Sequence, residues 1–341
     1  MSPYISPLFS LSMLLSVILV MCANHWVFMW LGLELGTLAF VPLLTWWHSP
    51  LEIEATVKYF IMQALAAALF FFGGLVTMNL TQMSGVTYWF SETILVLAIF
   101  IKLGVVPFHY WVVDVIQGLN YLPGMVLLTW QKLPGLMVLV QLGYCSAWII
   151  LSLGCLSALV GGVGGLGQTQ LRKLLAFSSI VHLGWLVVGV TVSSLLGMIY
   201  FFLYVGISLP VFMLLHILGA VHVNHLRASL MSNSMLSMFM AVGVLSLAGL
   251  PPFLGFLGKW LLVTAFVEDL MILVALSLVI GTLISLYYYL RISYLCLVIL
   301  SPQQMMVNMT WRKTLTISLL SGLIVLNVVG LLLSGGVACI T

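Results

Sequence analysis

The chain has 341 residues, of which 63% are apolar and only 5% charged, with a formal net charge of +3. So little polar surface cannot cover a water-soluble globule, and a separate soluble domain is excluded, so lipid is the expected solvent. The basic residues are scattered rather than clustered, which argues against nucleic-acid binding.

The opening stretch, MSPYISPLFSLSMLL, has no Lys or Arg ahead of its apolar run and no small-residue cleavage site after it, so it reads as a retained helix rather than a removable signal. A bilayer core about 30 Å thick needs roughly 20 apolar residues per helical crossing. Applied to residues 1–341, that measure predicts an all-α polytopic transmembrane bundle of about 11 helices in a single integral membrane domain. The first five spans are expected at Ile5 to Met21, Trp26 to Trp46, Tyr59 to Thr77, Thr93 to Gln117 and Met125 to Leu142. The next five fall at Ala147 to Leu166, Leu174 to Val192, Leu195 to Val221, Leu236 to Val267 and Leu270 to Leu290, and the last at Leu315 to Leu333.

Spans four and nine are too long for one straight crossing, and each holds proline deep inside, at Pro107 and at Pro251 with Pro252. Proline removes a helical hydrogen bond and clashes with the preceding turn, so both spans are predicted to be broken. The two breaks are five spans apart, which divides the chain into a first five-helix unit, 1–142, a second, 147–292, and a C-terminal helix, 315–335. An odd number of spans per unit forces opposite topology, the plan of two inverted repeats, each with a broken fourth helix. Alternate loops carry Lys58, then Arg172 and Lys173, then Arg227, then Arg312 and Lys313, whereas the intervening loops hold Glu92, Glu268 and Asp269. The bias places the N-terminus on the matrix or cytoplasmic side.

An ionisable group at mid-bilayer is costly unless paired or hydrated, so four such residues stand out. Glu34 lies in the middle of span two, Lys102 shortly before Pro107, Lys132 in the middle of span five, and Lys259 in the second half of span nine. Burial disfavours a charged amine and a nearby carboxylate favours it, so a lysine with a movable acidic neighbour can gain and lose a proton. A Glu34 to Lys102 pair continued by Lys132 and Lys259 is the expected proton relay, with His109 beside the first break and His182 in span seven as secondary candidates. Each charge could instead be a structural pair, and Lys58, near a span boundary, reads as a snorkelling interfacial residue.

Other features carry less. Cys22, Cys145, Cys155, Cys296 and Cys339 show no ligand spacing and read as packing residues. His216, His222 and His225 lack a fourth ligand, so a zinc site is rejected. Gly162, Gly164 and Gly167 fit a dinucleotide fingerprint, but no strand precedes them, so close helix packing is the better account. Nothing else suggests a nicotinamide, flavin or iron–sulfur site in this chain.

Several long segments resemble subunit two of mitochondrial NADH:ubiquinone oxidoreductase, respiratory complex I. They are NHWVFMWLGLELGTLAFVPLL around Glu34, EATVKYFIMQALAAAL around Lys58, IKLGVVPFHYWVVDVIQGL around Lys102, LLTWQKLPGL around Lys132, GGLGQTQLRKLLAFSSIVHLGW around His182 and AGLPPFLGFLGKW around Lys259. The resemblance implies an antiporter-like, proton-translocating membrane-arm subunit of the mitochondrial inner membrane, in contact with phospholipids and with other membrane-arm subunits, including neighbouring antiporter-like ones. It implies that FMN, iron–sulfur clusters and ubiquinone act elsewhere in the complex, and that Glu34, Lys102, Lys132 and Lys259 match the family's central hydrophilic axis. Asp114, Val112, Val113 and Gly135 depart from the usual pattern around the first break. Two other readings stay open. A free-standing cation/proton antiporter would be expected to place carboxylates at its breaks, where this chain has lysines apart from Asp114. A structural spacer would only pair its buried charges.

Overall fold

A computed structural model describes residues 5–79, 85–142, 147–230 and 234–298. The expected last span, Leu315 to Leu333, and with it the stretch 315–335, Arg312, Lys313, Cys145 and Cys339, lie outside the described residues. Among the described residues the structure is helical, and seven helices are long and apolar enough to cross a membrane. The chain divides into two compact units, Met1–Ser157 and Ala158–Thr341.

The first unit opens with α1 (Ile5–Met21) and α2 (Trp26–Leu44). Gly32 and Gly36, one turn apart, face Ser16 and Val20 of α1, so the two backbones approach closely, as small residues allow in lipid. Glu34, between those glycines, is thereby turned away from α1. Next comes α3 (Pro50–Asn79), which starts well ahead of the expected Tyr59. Its start is written in Ser49-Pro50-Leu51-Glu52: the Ser49 hydroxyl accepts from the Glu52 N–H at 3.3 Å, and proline sits in the first turn, where its missing N–H costs nothing. Lys58 is therefore two turns inside a helix rather than at its edge, and pairs with Glu54 at 2.6 Å on an exposed face.

The fourth span is broken as expected, into α4 (Gly85–Leu103) and α5 (Tyr110–Gly118) around Pro107. The fifth is broken too, which hydropathy did not anticipate: α6 (Tyr121–Leu128) and α7 (Lys132–Leu142) flank a short interruption at residues 129–131. Pro134 explains it. In a continuous helix its ring would meet the carbonyl of Trp130 four residues back, whereas in the first turn of α7 it is tolerated. Lys132, expected at mid-span, is thus the first residue of a new helix. α3 packs on α2, α4 and α5, and α7 packs on α1, α2 and α4. Gly135 lets α7 lie against Leu103 at the end of α4.

α8 (Ala147–Leu166) leads into the second unit, which holds α9 (Leu171–Val192), α10 (Ser194–Leu218), α11 (Val223–Leu230), α12 (Ser234–Ala248), α13 (Leu254–Glu268) and α14 (Ile272–Val298). α9 is apolar all round and is buried almost throughout from Leu174 to Val190, so it forms the unit's centre. α10 packs on α9, α12 and α13, and α14 on α9, α12 and α13. The glycine run is a packing surface: Gly161 and Gly164 press on Val181 and Phe177 of α9, and Gly162 on the Gly281 carbonyl of α14. His222 serves the backbone, pairing with Gln170 in an isolated bridge that joins the α8–α9 turn to the chain before α11.

Candidate functional site

Both broken spans stop their first half in the same way. Gly104 and Gly249 each adopt φ +77°, the left-handed conformation that ends a helix and that favours glycine. In the first unit this leaves the last carbonyls of α4 without helical partners, and side chains supply them. Trp111 Nε1 donates to the Ile101 carbonyl at 3.0 Å, and Gln63 Nε2 donates to the Lys102 carbonyl at 3.2 Å. Such satisfaction is needed because water is scarce at this depth.

Lys102, at the end of α4, donates its ammonium to the Leu33 carbonyl of α2 at 3.0 Å. The adjacent residue is Glu34, close enough for its charge to act on Lys102 and on Tyr59 of α3. The two do not form a direct ion pair, and Glu34 Oε2 is buried without a hydrogen-bond partner. Three more buried polar atoms of this unit share that condition, Trp26 Nε1, Gln63 Oε1 and His109 Nδ1, the last at the start of α5. Lys132 is 4% exposed, and its neighbour Gln131 reaches back to the Gly36 carbonyl at 3.5 Å, two residues beyond Glu34. The first unit therefore gathers Glu34 and Lys102 beside α7, the helix that Lys132 opens, with His109 at the break that follows Lys102.

In the second unit, Lys259 of α13 reaches back across the break and donates to the Ala248 carbonyl, the last of α12, at 2.8 Å. Its stem lies against Gly249, where any side chain would meet it. His182, in the middle of α9, is buried and shares a 2.8 Å hydrogen bond with the Tyr200 hydroxyl of α10. The break residues Pro251 and Pro252 are exposed, and Pro107 is likewise.

Several polar residues that hydropathy passes over are drawn into these places. Gln63, Trp111 and Gln131 read as ordinary members of apolar spans; the first two are drawn in because they lie opposite the end of α4, and Gln131 because it lies in the interruption before α7. Glu52 is a carboxylate only 1% exposed, taking Asn120 Nδ2 at 2.6 Å and the Trp47 N–H at 3.1 Å, so it ties the start of α3 to the α5–α6 turn. The helix-start pattern at Ser49 could have found it.

Comparison with known proteins follows this geometry. A family model described as NADH:quinone oxidoreductase/Mrp antiporter, TM, matches residues 23–285, and a second, NADH dehydrogenase subunit 2 C-terminus, matches residues 286–337. Curated relatives named NADH-ubiquinone oxidoreductase chain 2 from Branchiostoma floridae and Branchiostoma lanceolatum are each 61% identical, covering 100% of this chain and 99% of the relative. The protein of the same name from Tetraodon nigroviridis is 37% identical over 93% of this chain and 92% of its own. Among solved structures, a chain of respiratory complex I from Thermus thermophilus with bound aureothin superposes with TM-score 0.83 at 26% identity, over 96% of this chain and 79% of that one. A chain of the Mrp complex from Dietzia sp. DQ12-45-1b shares the fold at TM-score 0.73 and 17% identity, over 83% of this chain and 59% of that one. The chain belongs to the NADH-ubiquinone oxidoreductase chain 2 family of antiporter-like membrane proteins.

Proposed function

We propose that this chain carries protons across the mitochondrial inner membrane as an antiporter-like core subunit of proton-translocating NADH:ubiquinone oxidoreductase. Glu34, Lys102, Lys132 and Lys259 serve as its relay, with His109 and His182 as secondary stations. Its partners are other membrane-arm subunits and phospholipids, its N-terminus faces the matrix, and FMN, iron–sulfur clusters and ubiquinone work elsewhere in the complex. The two five-helix units act as inverted repeats, each with a broken fourth span.

The observation that carries this reading is the relation of Lys102 to Glu34. A contact salt bridge in low dielectric would fix both charges. Here the amine is held by a backbone carbonyl while the carboxylate sits within electrostatic reach and keeps one buried oxygen unsatisfied. An unsatisfied buried oxygen favours local hydration, and a carboxylate and an amine that are not locked in contact leave room for water to pass a proton between them.

The test is Glu34→Gln and Lys102→Met in the assembled complex, with proton uptake and NADH oxidation followed together. Pumping should fall in both while native-gel migration is unchanged. Wild-type pumping in a correctly assembled variant would remove these residues from the path. The spacer reading draws on the Lys259 bond to Ala248, which is structural as it stands, and it predicts lost assembly rather than lost pumping.

A further inference from the structure

The clamp on the end of α4 holds more chemistry than a clamp needs. Trp111 Nε1 secures the Ile101 carbonyl with a donor alone, and Gln63 Nε2 secures the next carbonyl, that of Lys102, at 3.2 Å. A carbonyl only accepts, so this bond fixes which end of the Gln63 amide faces it and leaves Oε1 as the other end. Gln63 is 3% exposed, and that oxygen has no hydrogen-bond partner among the described residues. A donor without an acceptor, as in Trp111, would hold the helix end and bury no lone oxygen, so the clamp does not account for Oε1.

Spare donors stand beside it. An ammonium has three N–H groups, and Lys102 Nζ makes one hydrogen bond among the described residues, to the Leu33 carbonyl at 3.0 Å. Amide geometry puts Gln63 Oε1 about 2.2 Å from Nε2, hence at most about 5.4 Å from the lysine's own carbonyl oxygen and inside the sweep of its flexible four-carbon stem. The helix register agrees. Trp30 Nε1 of α2 donates to the Ala67 carbonyl of α3 at 3.2 Å, which ties the two helices together. Glu34 lies one turn after Trp30 and Gln63 one turn before Ala67. Because α2 and α3 are joined by a short connection and run antiparallel, both residues fall on the same side of the tie, about 6 Å from it. Lys102 therefore has an acceptor on each of two fixed helices at one level, the Leu33 carbonyl on α2 and Gln63 Oε1 on α3.

We propose that Gln63 Oε1 is a second hydrogen-bond station for the Lys102 ammonium, which moves between the Leu33 carbonyl, beside Glu34, and the Gln63 amide. The move exchanges one acceptor oxygen for another and transfers no proton itself. It changes the separation of the amine from Glu34 while Trp111 and Gln63 Nε2 keep the backbone at the break in place. Gln63 is thereby a positioning residue for Lys102. This role rests on the proton-transport reading of the chain and adds to it a residue that the lysines and Glu34 alone do not require.

The experiment compares Gln63→Met with Trp111→Phe in the assembled complex, with Lys102→Met as the reference. Methionine keeps the unbranched shape of glutamine and removes both the clamp and the station, whereas Trp111→Phe removes a clamp only. Gln63→Met is expected to slow coupled proton uptake about tenfold, the rate equivalent of one hydrogen bond to a charged group. It should also displace the pH at which uptake is half-maximal, because hydrogen bonding to its charged form bears on where an amine titrates. Trp111→Phe should leave the rate and the pH profile at their wild-type values. If Lys102→Met is impaired while Gln63→Met matches Trp111→Phe in both readouts, the station is refuted and the transport reading stands. If Lys102→Met is also normal, the transport reading falls and the station with it. Should Gln63→Met fail to assemble, Gln63→Asn, which keeps the amide but sets it back by one methylene, supplies the same comparison.

Discussion

Gly249 joins backbone conformation to the chemistry of Lys259, so Gly249→Ala tests both at once. At φ +77° an alanine is strained by about 1–2 kcal/mol whatever its surroundings. Its Cβ would also lie 2.7 Å from Lys259 Nζ and 3.0 Å from Cδ, so the side chain must leave the Ala248 carbonyl. Losing a hydrogen bond from a charged donor adds about 1.5–3 kcal/mol, for a total of roughly 2.5–5 kcal/mol. Gly219 supplies the control: it has φ +64° with nothing within 4 Å of an added Cβ, so Gly219→Ala should bear the backbone term alone, about 1–2 kcal/mol. Heat-driven dissociation of the assembled complex on native gels measures the first effect, and proton uptake per NADH oxidised measures the second. Gly249→Ala should dissociate at a lower temperature than Gly219→Ala and should pump less, whereas Gly219→Ala should pump normally. Equal behaviour of the two variants in both assays would refute the contact between Lys259 and the break.

Three further substitutions test the surrounding framework. Trp111→Phe removes the donor to the Ile101 carbonyl while keeping most of the ring, and should destabilise by about 0.5–1.5 kcal/mol in the same dissociation assay. Glu52→Ala leaves Asn120 Nδ2 and the Trp47 N–H without their acceptor, and should cost about 1–3 kcal/mol, read as poorer assembly with unchanged proton uptake per NADH in what does assemble. Lys58→Ala breaks only an exposed i,i+4 pair with Glu54, so the dissociation temperature should stay at the wild-type value; a loss as large as that of Glu52→Ala would show that Lys58 has a buried partner.

The features that could be read from sequence were those with a one-dimensional signature. Apolar runs marked the spans, and Pro107 and Pro251 with Pro252 marked the breaks in spans too long for one straight crossing, whereas a lone interior proline is no sufficient signal, since Pro42 and Pro210 sit inside the continuous helices α2 and α10. The break before Lys132 was also written in the chain, in Pro134, but its effect falls four residues upstream, and a scan that looks for disruption at the proline misses it. The start of α3 was hidden for a related reason: Ser49 and Glu52 signal a helix through polar atoms, whereas hydropathy waits for the apolar run at Tyr59. What the sequence could not supply was who faces whom. Nothing in the spacing of Gln63 and Lys102, or of His182 and Tyr200, states that they meet, since those contacts are made between helices. The sequence suggested Glu34 as the partner of Lys102, whereas the amine donates to the carbonyl of the preceding residue, Leu33, and carbonyls carry no letter of their own.

The grip of Lys259 on the end of α12 has a thermodynamic corollary. In the proposed relay one nitrogen is both a titrating group and the clasp that closes a bent rod, so its protonation and the bend cannot vary independently. Whatever free energy a change of charge contributes to opening the clasp, the same amount must return when the rod is flexed by other means and the nitrogen's hold on its proton is altered. A mechanical push delivered along the membrane could thus be converted into ionic work at this single bond, and ionic work converted back into a push.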